Sequence, residues 1–299
     1  MPVALSRLLV AIDGSEQSDY ALNVALKIGE RFGSKIVLIH VHTPTGGVAP
    51  IIDPVIGSTN VIIPPQSDSE VKVEEARAGH LLADRMQVVL ARNLECKAIS
   101  KDSPDVAGEI LRAAESGKYE ILILGSRGRS GLKSLFLGSV STKVAKEAKC
   151  SVLVIRKRIE GAPKILLGYD GSEESKKALD FVASLGSKLG GQVDPLAVVN
   201  VPPAPEGLVG TDIEKWESEM RRTVEEAVAA LTSGGLKCKG KVADYVDVAR
   251  ALCDEGEKGS YNLIAVGSRG KRGRLESIFL GSVASGVANN AKTNVLIVR

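Results

Sequence analysis

"GSRGRSGLKSLFLGSVS" runs from Gly125 to Ser141, and "GSRGKRGRLESIFLGSVAS" runs from Gly267 to Ser285. The two share an opening Gly-Ser-Arg-Gly and a closing Gly-Ser-Val. Nine residues separate Gly128 from Gly138, but ten separate Gly270 from Gly281. Outward from this pair the repetition continues. "RLLVAIDGSEQSDYAL" from Arg7 matches "KILLGYDGSEESKKAL" from Lys164, "KYEILILGSRG" matches "SYNLIAVGSRG", and "CSVLVIR" matches "TNVLIVR". The repeat covers nearly all of the 299 residues, as units 1–157 and 162–299 joined across the short polar segment "KRIEGAP". Each unit is long enough to bury its own core.

Within a unit, short apolar runs rich in branched residues ("LLVAI", "KIVLIHV", "EILILG", "SVLVI") read as strands buried on both faces. Helical periods lie between them. Ser15 is placed to cap a helix with Ala21, Val24, Ala25 and Ile28 on one stripe, reproduced in the second copy by Ala178, Phe181, Val182 and Leu185. Ser103 as cap and Pro104 in the first turn are expected to start another, with Val106, Ala107, Ile110, Leu111 and Ala114 inward. Its counterpart has Val248, Ala249, Leu252 and Cys253. Strand–helix alternation of this kind predicts right-handed βαβ units: a parallel sheet with helices on both faces, twice in tandem.

Composition narrows the function. A net charge of +3 implies no strong field for a polyanion, and 3% aromatic residues leave few rings for stacking bases, so no nucleic-acid partner is expected. The opening "MPVALSRLLVAIDGSE" is interrupted by Asp13 too early for a signal peptide, and no apolar run reaches the ~20 residues of a membrane span. A cytoplasmic protein with no membrane partner is expected. Cys96, Cys150, Cys238 and Cys253 form no CxxC pair, and His40, His42 and His80 have no recognisable metal spacing, so no metal site is expected. Cys96 and Cys238 occupy the same place in the two units; small apolar residues entering a strand account for them better than a redox pair. His40 reads as a packed core residue.

In open parallel sheets, ligands sit beyond the carboxyl ends of the strands where the strand order reverses. The first strand ends at Asp13-Gly14-Ser15 and the fourth at Leu124-Gly125, so both polar turns fall on that edge. Gly125 would let the chain turn off its strand, and Gly128 would let backbone approach a ligand. Gly138-Ser139 precedes a helical pattern, and a helix N-terminus offers unpaired N–H groups and partial positive charge to a phosphate. Ser139 and Ser141 would add donors, Arg127 would neutralise charge, and Asp13 would suit a ribose or adenine donor. Neither GxxxxGK[ST] nor a GxGxxG after the first strand is present, so the usual nucleotide fingerprints do not apply. Ordinary turn chemistry and a solvated basic loop would give the same glycines and arginines.

The spacing G-x2-G-x9-G-S from Gly125 through Gly128 to Gly138-Ser139, with "AIDGSEQSDYAL" and "LIHV", resembles the ATP-binding signature of the universal stress protein family. The resemblance covers both halves and implies strand order 3-2-1-4-5 in each. It implies that Ala11, Asp13 and Val41 meet the adenosine, that Leu124, Gly125, Arg127 and Gly128 line ribose and phosphates, and that Gly138, Ser139, Val140 and Ser141 hold the phosphate tail. An adenine nucleotide, ATP or AMP and with or without Mg, is the implied cofactor. Pairing through the last strands would make the halves an internal pseudo-dimer, a further homodimer of whole chains being compatible with it. The second half retains Asp170, Gly267, Arg269, Gly270, Gly281 and Ser282, but departs from the pattern in its ten-residue spacing and in Ala284, which stands for Ser141.

The first half also inserts "TPTGGVAPIIDPVIGSTNVIIPPQSD" where the second has only "VPPAPEGLVGTD". Its branched residues (Ile51, Ile52, Val55, Ile56, Val61, Ile62 and Ile63) favour a packed loop near the cleft, or a partner patch, over a disordered linker. Three functions fit the sequence: a sensor or sequestering module for adenine nucleotide; a slow ATPase or self-phosphorylating protein using Ser139 or Ser141; and a scaffold with vestigial sites. Asp13 is the one carboxylate the sequence places in the cleft, which favours binding over turnover and assigns no catalytic residue.

Overall fold

The computed structural model describes residues 3–43, 47–53, 57–63, 68–128, 137–200, 210–270 and 280–299. The first half runs β1 (Arg7–Ala11), α1 (Glu16–Phe32), β2 (Lys35–His42), β3 (Gly47–Asp53), β4 (Gly57–Ile63), α2 (Asp68–Leu90), β5 (Cys96–Asp102), α3 (Val106–Gly117), β6 (Ile121–Gly125), α4 (Ser139–Glu147) and β7 (Ser151–Ile155). The second runs β8 (Lys164–Gly168), α5 (Glu173–Leu189), β9 (Gln192–Asn200), α6 (Gly210–Ser233), β10 (Lys241–Tyr245), α7 (Val248–Lys258), β11 (Leu263–Gly267), α8 (Ser282–Asn290) and β12 (Asn294–Val298). Among the described residues, no helix is long and apolar enough to cross a membrane.

Ten strands form one sheet, in the order β10-β9-β8-β11-β12-β7-β6-β1-β2-β5. Each half is a parallel five-stranded sheet of order 3-2-1-4-5, counting its main-sheet strands in sequence. The halves join where β7 and β12 run antiparallel, Leu153 opposite Leu296. Alternate strand residues supply the two faces, as a period of two requires. Leu8, Val10, Leu38 and Ile123 pack in one cluster with the α1 stripe of Ala21, Val24, Ala25 and Ile28. Leu9, Ile39, Leu122 and Leu124 pack with Ala107, Ile110 and Ala114 of α3 and Val144 of α4. Each fully buried Leu or Ile contributes about 2 kcal/mol against its exposed state. The α1 cluster continues without a break into the second half through Leu153, Ile155, Leu296, Ile165 and the α5 stripe. The two halves therefore share a core as well as a strand pair.

The seam carries a reciprocal exchange. Arg156, just after β7, donates through Nη2 to Ala288 O in the last turn of α8 at 2.5 Å. Arg299, just after β12, donates to Ala145 O in α4 at 2.7 Å and to Cys150 O at 3.4 Å. Each half thus supplies a cation to the carbonyl end of the other half's helix, where the dipole favours it. Burial pushes Arg156 down to about 10 and also lowers Arg299.

One expectation needs correcting. The α3 cap is Asp105, whose Oδ1 accepts from Gly108 N at 3.0 Å, while Ser103 Oγ accepts from Asp105 N at 3.2 Å. The helix begins after Asp105, because its carboxylate reaches the open amide at Gly108 while Ser103 organises the turn before it. That amide bond, with Lys143 alongside, holds the Asp105 carboxyl below its usual range. The insertion after β2 contains a two-stranded antiparallel hairpin separate from the main sheet, with Gly47 opposite Ile63 and Asp53 opposite Gly57. Its β-branched residues favour strands. The packing of its apolar side chains, including Val55 and Ile56, lies outside the described residues, as does most of the ten-residue stretch between Gly270 and Gly281.

Candidate functional site

Both polar turns lie on the carboxyl edge of the sheet. After β1, Gly14 adopts φ 78°, a left-handed conformation that favours glycine, and Gly171 repeats it at 75°. This turn folds Asp13 back so that Oδ1 accepts from Ser15 N at 2.9 Å and Ser15 Oγ at 2.6 Å. Ser15 Oγ in turn accepts from Ser18 N at 3.2 Å, capping α1. Asp170, Ser172 and Ser175 repeat the arrangement. Asp13 therefore builds the turn with one oxygen.

The glycines after β6 serve close packing. A Cβ on Gly125 would meet Gln17 Cβ at 2.9 Å, so Gly125 seats the strand end against α1 and does not supply a left-handed turn. A Cβ on Gly128 would meet Asp13 Oδ2 at 2.7 Å, which sets the two turns side by side. From there the chain is tied to α4: Gly138 N donates to Ser126 O at 2.8 Å. In the second half Gly281 N donates to Ser268 O at the same 2.8 Å. The N-cap torsions also agree, φ −67° and ψ 160° at Gly138 against −62° and 158° at Gly281. The added residue of the second copy thus leaves the helix start in place.

Helices α1, α3, α5 and α7 are each capped by a Ser or Asp side chain, whereas α4 and α8 begin at glycine with no side-chain cap. Among the described residues their first amides have no partner at the edge where the two turns meet, which suits an anion. Beside α4, Arg127 Nε is buried without a hydrogen-bond partner among the described residues. Its counterpart Arg269 stands 3.6 Å from Glu174.

Of the expected residues, Asp13, Arg127, Gly125, Gly128, Gly138 and Ser139 converge here. Ala11 and Val41 are half-buried at the ends of β1 and β2. Leu124 is a core residue, so only its backbone borders the edge. Ser141 is buried, and its hydroxyl donates to Ser126 O at 2.8 Å, not into the open space. In the second half Asp170, Gly267, Arg269, Gly270, Gly281 and Ser282 all line a single cleft of about 730 Å³. That volume is in the range of small-molecule sites. The same cleft is walled by Trp216, Glu219 and Met220 of α6, which the sequence motifs did not single out. Trp216 is the only tryptophan of the chain, and that was the available signal.

The cysteines and His40 belong to the frame. Burial pushes the thiols of Cys96, Cys238 and Cys253 up to about 11, which leaves little thiolate near neutrality. His40 is buried, its Nδ1 2.6 Å from Ile12 O. Among the described residues no group of three or more His, Cys, Asp or Glu could hold a metal ion.

Comparison with known proteins agrees with this architecture. The universal stress protein family matches twice, over residues 5–156 and 162–299. The universal stress protein YxiE of Bacillus subtilis is 30% identical over 152 residues, covering 50% of this chain and 99% of that protein. A universal stress protein of Mycobacterium tuberculosis is 26% identical across 98% of this chain and 96% of its own. The crystal structure of a universal stress protein from Archaeoglobus fulgidus shares the fold at a TM-score of 0.66 and 21% identity, covering 98% of this chain and 96% of that one. With both halves matched and the tandem fold in common, the chain belongs to the universal stress protein family.

Proposed function

We propose that this protein binds an adenine nucleotide at the carboxyl edge of its sheet and acts as a sensor or regulatory module, not a catalyst of turnover. The observation that carries this is the pair of helix starts left open at Gly138 and Gly281, each tied to a Gly-Ser-Arg-Gly turn. In the first half the amides of Ser139 and Val140, with Arg127 beside them, would receive the phosphates. Ala11, Val41 and the second oxygen of Asp13, Oδ2, would border the nucleoside, and the backbone of Leu124, Gly125 and Gly128 the ribose. Asp170, Gly267, Arg269, Gly270, Gly281 and Ser282 would do the corresponding work in the second half. Any Mg would arrive with the nucleotide. Asp13 is committed to Ser15 through one oxygen, which suits a positioning role better than that of a base.

Mass spectrometry of small molecules released by denaturing the purified chain tests the reading. An adenine nucleotide in stoichiometric amount is expected. Neither retained nucleotide nor binding of added ATP or AMP would favour the vestigial scaffold instead.

A further inference from the structure

We propose that the second half's cleft takes an aromatic ligand of nucleoside size carrying at most one phosphate, leaving polyphosphate to the first half. The inference rests on reading the carboxyl edge as the ligand edge of both halves, and adds which ligand each accepts.

Two independent differences point the same way. The first is charge behind the phosphate turn. Glu174 packs directly under Gly267, where a Cβ would meet its backbone at 2.7 Å. Its carboxylate stands 3.6 Å from Arg269, with the more exposed Lys177 as its other partner at 3.2 Å. At the matching place under Gly125 the first half has Gln17, which cannot offset Arg127. By sequence the stretches between the glycines carry the same net charge, from Arg129 and Lys133 in one, and Lys271, Arg272 and Arg274 against Glu276 in the other.

The second difference is the wall. The offset that relates Cys96 to Cys238 and Gly125 to Gly267 places Trp216, Glu219 and Met220 of α6 where α2 has Glu74, Arg77 and Ala78. A large ring and a thioether line the second cleft together with Leu196, Val198 and Leu252. Such a wall stacks and packs against a flat apolar group. Where α2 carries Arg77 paired with Glu74 at 2.5 Å, α6 has Glu219 with no charge at Trp216, and that added anion penalises each further negative charge in a confined cleft. The intact helix start at Gly281, with no side-chain cap and no partner for its first amides among the described residues, is enough for one phosphate.

Trp216 reports on this cleft alone, because no other tryptophan contributes. The intact chain is titrated with adenosine, AMP and ATP while Trp216 emission is followed, with calorimetry of ATP on the same protein. Adenosine and AMP should shift Trp216 emission at about tenfold lower concentration than ATP. Glu174→Gln should narrow the gap between adenosine and ATP about three- to fivefold by tightening ATP, with AMP tightened less and adenosine unchanged, the size of a partly buried ion pair. Trp216→Leu, read by calorimetry, should weaken adenosine roughly tenfold, as loss of a base-stacking ring does. ATP binding at Trp216 as tightly as adenosine, a gap unmoved by Glu174→Gln, or no response to any of the three would overturn the proposal. Calorimetric ATP binding with a silent Trp216 sinks this inference but not the nucleotide reading of the first half. A Trp216 response to adenosine with no ATP bound anywhere leaves the aromatic site of the second half standing but overturns the assignment of polyphosphate to the first.

Discussion

Ser141 shows how a residue can sit in a ligand motif and still serve the frame. Its hydroxyl has one hydrogen, directed at Ser126 O, and it lies 3.0 Å from Gly138 O, so it clamps the turn to the helix start. The second half keeps the same backbone tie with Ala284 in that place, without any hydroxyl. Ser141→Ala should therefore cost about 1 kcal/mol of stability, read as a lower denaturant midpoint, and leave ATP affinity within about threefold. A tenfold or larger loss of ATP affinity with unchanged stability would show the hydroxyl on the phosphate. From the sequence, Ser141 looked like a phosphate donor because spacing shows which residue stands at the helix start, not which way its hydrogen turns. Gly125 and Gly128 carry the same lesson. They were legible as necessary glycines, but the need is contact with Gln17 and Asp13, and the left-handed turn belongs to Gly14.

At the level of elements, strands and helix stripes were legible because burial on both faces leaves consecutive branched residues, and α1 and α5 repeat one stripe. The α3 cap was legible in a signal left unused: Asp-Val-Ala at 105–107 recurs at 247–249, while Ser103 and Pro104 do not recur. Asp247 accordingly caps α7, accepting from Arg250 N at 3.0 Å. The cross-seam arginines were not legible, since a basic residue after a strand says nothing about which helix end it meets once the strands pair antiparallel. Arg299 spreads its donors over Ala145 O, Lys146 O and Cys150 O, whereas Arg156 leaves Nη1 buried and unpartnered among the described residues. Arg299→Ala should cost about 2–3 kcal/mol and Arg156→Ala less, because removing Arg156 also relieves the burial of an unpaired donor. Urea melts of both variants check the order; an equal or larger loss at Arg156 would mean that the two caps are not differentiated this way.

For the whole molecule, duplication gives one ten-stranded sheet with two like edges, and the seam at β7 and β12 buries what would otherwise be two exposed strands. Tandem repetition was plain in the sequence, while the pairing followed from resemblance, because the last strands "CSVLVIR" and "TNVLIVR" read as buried strands whatever they pair with. The wall of the second cleft was hidden for a different reason: Trp216 lies far from the phosphate turn in sequence and meets it only through the placement of α6. The added residue of the second copy leaves Gly281 bonded as Gly138 is, so differences between the halves are expected from charge and wall rather than from a shifted helix. The central claim is that ligand phosphate lies at the open start of α4. A Cβ on Gly138 would stand 3.4 Å from Ser126 O and 3.6 Å from Arg127 Cα, tolerable to the fold but inside the gap the phosphate would occupy. Calorimetric titration of ATP into the intact chain and into Gly138→Val, with the fold of both checked by circular dichroism, tests this most directly. The account predicts ATP binding in the first half that is lost in the folded variant; undiminished ATP affinity in folded Gly138→Val would contradict it.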